Sequence, residues 1–215
     1  QVEVRGFTSI QAERAGLGLA QSRGVLEDVV VRGSGSYGAV QLTASDMEVR
    51  RLRVDGAAEY GLVAVRGKLK LRGATFTRVH SADGVTGDGL HLRQVQADVE
   101  DVVVRGAAGA CVLAAQNARV VLRDAELEDC GQAGLAVDTL ARLEASGVEV
   151  RGGAMALVAL NDGELRVDAL AASGLAAGLV QAECEGTTRV RLGRVRSEDV
   201  RGADAPCVER VPAAR

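Results

Sequence analysis

Val102-Val103-Val104-Arg105-Gly106 is a short apolar run closed by one charged residue and a glycine. The same ending recurs at Val4-Arg5-Gly6, Val31-Arg32-Gly33, Val150-Arg151-Gly152 and Val200-Arg201-Gly202, with Val54-Asp55-Gly56 as a variant. Followed through Gly6, Gly33, Gly56, Gly84, Gly106, Gly131, Gly152, Gly174 and Gly202, the closing glycine steps by 21 to 28 residues. A step in this range is the mark of a stacked-repeat architecture, in which each unit buries its apolar face against the next.

Two further apolar runs lie between successive glycines. One begins near Leu17, Val40, Val63, Leu90, Cys111, Leu135, Val158, Val180 and Val208, and the other is seen in Leu69-Lys70-Leu71, Val120-Val121-Leu122, Leu143-Glu144-Ala145, Leu165-Arg166-Val167 and Val190-Arg191-Leu192. Alternation of period 2 with β-branched residues means strands with one face buried and the other in water. Three strands in about 23 residues leave room for turns but not for a crossover helix. Each strand must then pair in parallel with its copy one unit later. Gly supplies a positive-φ corner without steric cost, and Ala and Gly crowd the corners, as in Gly106-Ala107-Ala108-Gly109-Ala110. The expected fold is all-β: a solenoid of eight to nine coils, three short strands per coil, in a single domain over residues 1–215.

This repeat pattern resembles the right-handed, single-stranded parallel β-helix, the pectate-lyase-like fold, across essentially the whole chain. Leucine-rich repeats and calcium-binding nonapeptide repeats fit worse: the chain has only two Asn and lacks G-G-x-G-x-D. Neither end shows a capping helix, and the first residue is Gln, so a processed chain or a segment of a larger protein is expected. The segment Phe7–Ala20 is longer than its equivalents and is expected to hold a short helical or looped piece.

Composition narrows the function. Aromatics make up 2% of the chain, so the core must be built from Val, Leu and Ala, and sugar-stacking platforms are scarce. The net charge of −3 comes from well-mixed charges, with no basic block for nucleic acid and no apolar run long enough to span a membrane. The Ala, Gly, Val and Arg content resembles that of proteins from high-GC bacteria. Four cysteines form two pairs about one coil apart, Cys111 with Cys130 and Cys184 with Cys207. They are compatible with disulfides in a secreted, periplasmic or cell-surface protein, or with thiols stacked in the core.

Three groups of residues are candidates for function. His80 to His91 holds both histidines and the turn-forming pairs Asp83-Gly84 and Asp88-Gly89. In pectin-degrading β-helix enzymes aspartates do acid–base work, so the resemblance makes Asp83, Asp88 and His91 candidates for glycoside cleavage. The two aspartates with nearby carbonyls could also hold Ca²⁺. Turn formation accounts for the same residues. Arg5, Arg32, Arg105, Arg151 and Arg201 would form a basic stripe if their coils were in register, largely neutralised by the acids that precede them. Gly18, Gln41, Ala64, His91, Ala136, Ala159 and Gln181 would line an uncharged strip suited to packing against a protein partner or a second copy. The expected function is a non-enzymatic exported structural or binding module that acts as scaffold, spacer or surface component. The alternative is a carbohydrate-active enzyme or binding protein for acidic polysaccharide.

Overall fold

A computed structural model describes residues 1–211. In chain order the strands are β1 (Val2–Arg5), β2 (Thr8–Ala12), β3 (Leu17–Ala20), β4 (Arg23–Ser34), β5 (Val40–Ala58), β6 (Tyr60–His80), β7 (Asp88–Ala107), β8 (Ala110–Ala115), β9 (Arg119–Cys130), β10 (Ala133–Asp138), β11 (Arg142–Arg151), β12 (Met155–Ala159), β13 (Glu164–Ser173), β14 (Gly178–Ala182), β15 (Arg189–Ser197) and β16 (Val208–Arg210). Every pairing is parallel, to the copy one coil later, and the described chain has no helix. The chain is a parallel β-solenoid of about nine turns. The segment Phe7–Ala20 contains β2, a turn and β3, so the expected helical piece is absent and only the loop is present.

The long strands bend around corners, and each coil contributes to three faces. Face 1 stacks β3, the first residues of β5, β6 and β7, then β8, β10, β12 and β14. Face 2 runs from β1 through the middle of the long strands to β9, β11, β13, β15 and β16, and face 3 follows it in each coil. Inward residues form ladders. Leu26, Val49, Leu71, Val99, Leu122, Ala145, Val167 and Leu192 stack beneath face 2, and Val31, Val54, Phe76, Val104, Leu127, Val150 and Ala172 beneath face 3. Nearly all are fully buried.

The corners repeat as strictly as the strands. One positive-φ column after face 3 runs Gln11, Gly33, Gly56, Arg78, Gly106, Asp129, Gly152 and Gly174. Within Val104-Arg105-Gly106, Val104 is buried, Arg105 exposed and Gly106 sits at φ 69°, as the repeat predicts. The glycine series is corrected elsewhere. Gly6 turns the other corner, between faces 2 and 3, with Asp28, Arg51, Gly73, Asp101, Asp124 and Gly147. Gly84 lies in a loop, Asp129 takes the corner where Gly131 was expected, and Val200-Arg201-Gly202 lies in a turn with Val200 exposed. Asp, Gln and Arg hold left-handed positions because the stacked coils over-determine them, which a search for glycine cannot detect.

Small residues also make room in the core. A Cβ on Gly61 would lie 2.5 Å from the Phe76 ring, and one on Gly89 the same distance from Val104. Face 1 therefore meets the wide ladder of face 3 with glycine. Both cysteine pairs are disulfides, closing loops of 19 residues (Cys111–Cys130) and 23 residues (Cys184–Cys207). Each joins neighbouring coils, the first wholly inside the core.

Two stability measurements follow. At Gly106 the surroundings are open, so only backbone conformation resists a side chain. Gly106→Val is expected to lower unfolding free energy in urea by about 1–2 kcal/mol and Gly106→Asn by clearly less. Replacing Cys184 and Cys207 together by Ser is expected to cost about 3 kcal/mol in the same titration, from the loop it opens.

Candidate functional site

The inserted loop Ser81–Gly87 makes the longest coil: paired Lys68 and Gln96 are 28 residues apart. Asp83 organises it. Its Oδ1 accepts hydrogen bonds from the backbone N–H of Val85 (2.9 Å) and Thr86 (2.8 Å) and from the hydroxyls of Thr86 (2.9 Å) and Ser81 (3.2 Å). These donors, led by the Thr86 amide, hold the carboxyl well below the usual carboxylate range. The loop then reaches forward, where Gln132 Nε2 donates to the Val85 carbonyl at 3.2 Å.

Asp88 and His91 stand apart from this turn. Asp88 opens β7 and is buried, with Oδ1 accepting from the Ala110 amide (2.7 Å) and Oδ2 lying 2.6 Å from His91 Nδ1. Gly109 has no side chain where a Cβ would collide with Asp88. The Tyr60 ring tilts against the His91 ring at 4.7 Å between centroids. Burial, and next the charge of Asp88, raise the Tyr60 hydroxyl above its ordinary value. His91 Nε2 is buried without a hydrogen-bond partner in the described structure. Asp83 thus spends its carboxylate on its own loop, whereas Asp88 and His91 clamp neighbouring coils. Among the described residues no three His, Cys, Asp or Glu side chains gather as metal ligands.

The arginines do not form one stripe. Arg32, Asp55, Thr77, Arg105, Glu128, Arg151 and Ser173 share a column on face 3, so the basic residues are interrupted by acidic and hydroxyl ones. Arg5 pairs with Glu27 on face 2, and Arg201 lies in the last turn on Asp199. Arg105 reaches Glu126 and Glu128. Arg51 forks onto Glu27 and Asp28, and Arg72 meets Glu100. Such exposed pairs contribute little each, but as a set they leave faces 2 and 3 charged in nearly every coil.

The uncharged strip exists, with a different membership. Register places Gly18, Gln41, Val63, His91, Leu113, Ala136, Val158 and Gln181 in one outward column of face 1. Ala64 and Ala159 point inward and are buried in the core ladder with Leu42, Leu92 and Val137. The one-residue slip has a physical cause. In Leu62-Val63-Ala64-Val65 and Leu157-Val158-Ala159-Leu160 both alternating sets are apolar, so period 2 carries no signal. Cys111 hides Leu113 in the same way. The repeated Leu62, Leu90, Leu135 and Leu157, which share one inward ladder, are the signal that would have set the register.

Beside this column runs a second outward one, Tyr60, Asp88, Ala110, Ala133, Met155 and Gly178, and beyond it a third, Thr43, Val65, Arg93, Ala115 and Asp138. Ala110, Ala133 and Ala136 form an apolar cluster separate from the core, with half-buried Leu113 and Val158 against it. Comparison of the chain with protein-family models, curated proteins and solved structures finds no match.

The role of Asp83 can be read directly. Its folded-state proton affinity is depressed, so its contribution to loop order is complete above the usual carboxylate range and is lost as pH falls through the depressed value. Asp83→Asn is expected to speed amide exchange at Val85 and Thr86 while leaving the melting of the coils unchanged. Unchanged exchange at those amides would contradict this role.

Proposed function

We propose that this protein is a non-catalytic β-solenoid scaffold that packs against a protein partner through face 1. One observation carries the reading: the central outward column of face 1 carries no carboxylate, lysine or arginine and is apolar apart from His91 across successive coils, from Val63 to Val158, while faces 2 and 3 are charged in nearly every coil. A rod surrounded by water has no need of such asymmetry, and a flat, weakly hydrated surface lowers the desolvation cost of packing. Short corners favour a spacer or scaffold. Two disulfides favour an oxidising compartment, so the proposed location is secreted, periplasmic or at the cell surface.

The alternative, an enzyme or binding protein for acidic polysaccharide, would rest on Asp83, Asp88 and His91. It is less favoured because the first carboxylate is committed to its turn and the other two side chains are buried against each other.

A photo-cross-linking amino acid placed at position 158 on face 1, 70 on face 2 or 126 on face 3 separates the surfaces. Protein adducts are expected from position 158 and not from the others. Equal yields at all three positions would contradict the proposal. So would release of new reducing ends from acidic polysaccharides that Asp88→Asn abolishes.

A further inference from the structure

The central outward column of face 1 reads nearly the same in both directions. Centred on β8, the middle column runs Gln41, Val63, His91, Leu113, Ala136, Val158, Gln181. Three coils either side of Leu113 stand the two glutamines, and two coils either side the two valines. One coil either side, the large His91 matches the small Ala136. In the third column Arg93 lies one coil before Ala115 and Asp138 one coil after it. Arg93 is half-buried and has no ion-pair partner among the described residues. Asp138 is also half-buried, and its carboxylate accepts from the Asn161 side-chain amide, at 2.7 Å, and pairs with no cation among the described residues.

A two-fold axis lying along β8, in the plane of contact, keeps each column over itself and reverses the order of the coils. We infer that face 1 packs on face 1 of a second copy about this axis. Leu113 then meets Leu113 at the centre, Val63 meets Val158, His91 sits over Ala136 and the end glutamines face one another. Arg93 of each copy meets Asp138 of the other, which supplies both unpaired charges with partners and fixes the register. An isologous contact requires such self-complementarity, and the charged columns of faces 2 and 3 lack an apolar centre to build one on. Val85, exposed on the loop along this edge, adds an apolar group at the rim.

Seven coils at strand spacing and five or six residues along a strand give face 1 a footprint of about 30 by 17 Å; Val63, His91 and Ala136 are already largely shielded by their neighbours, so a dimer buries at most about 1,000 Å² in total. That is the lower limit of a specific interface, so a weak, concentration-dependent dimer is expected. The inference rests on face 1 being the packing surface and names its occupant.

Sedimentation velocity over a broad concentration series tests it. The wild-type chain is expected to dimerise. Arg93→Asp and Asp138→Arg, each placing two like-charge contacts in the dimer, should weaken it at least about tenfold, and the two changes combined in one chain should restore it to within about threefold. Lys70→Asp on face 2 should leave it unchanged. Leu113→Cys, on the axis, should give a disulfide-linked dimer under mild oxidation, and this does not depend on how the charge variants fold. A monomer at every concentration, or a dimer indifferent to the charge swap, overturns the inference. If position-158 adducts then contain a different protein, face 1 remains the packing surface and only the second copy is lost. Absence of adducts at position 158 removes both.

Discussion

Parallel backbone hydrogen bonding between successive coils is the constraint on which the rest of this structure depends. A strand that pairs with its copy about 23 residues later must turn where the copy turns. The corners therefore stack, and each corner column holds a left-handed backbone whether the residue is Gly106, Asp129 or Arg78. The cost of placing a side-chain-bearing residue there is set against continuous ladders of hydrogen bonds and a closed core of Val, Leu and Ala. The same stacking forces unlike sizes to share the interior, as Gly61 yields to Phe76.

Stacking also organises the outside. Any outward residue lies a strand spacing from its equivalents, so like charges in a column would repel. Faces 2 and 3 respond with ion pairs between coils, such as Arg105 with Glu128 and Arg123 with Asp98, even where like charges stack, as Arg50 does on Arg72. Face 1 takes another course and omits charge from its central column. A buried polar cluster on this face, Asp88 with His91 and Tyr60, has its carboxylate held by an amide and an imidazole. That leaves a surface suited to packing rather than to chemistry.

The sequence made the coils legible because period 2 and the recurring glycine are independent signals that agree. It made the corners only partly legible, since Gln11, Arg78 and Asp129 adopt the glycine conformation without announcing it. The candidate site was the least legible part. His91, Ala136, Gln41 and Gln181 share the outer column, and a polar or size contrast marks their strands. Ala64 and Ala159 lie in the inward ladder instead, which the sequence does not mark because their neighbours on both faces are apolar. The arginine endings misled for a related reason: a shared tripeptide fixes a local corner, but Arg5 and Arg201 occupy other columns than Arg32.

Side-by-side packing of two copies through face 1 has a signature in shape. Small-angle X-ray scattering gives the cross-section and the length of a rod separately. As concentration rises, packing through face 1 predicts a larger cross-sectional radius of gyration with nearly constant length. A cross-section that stays at the value of a single solenoid at all concentrations would contradict packing of face 1 on a second copy.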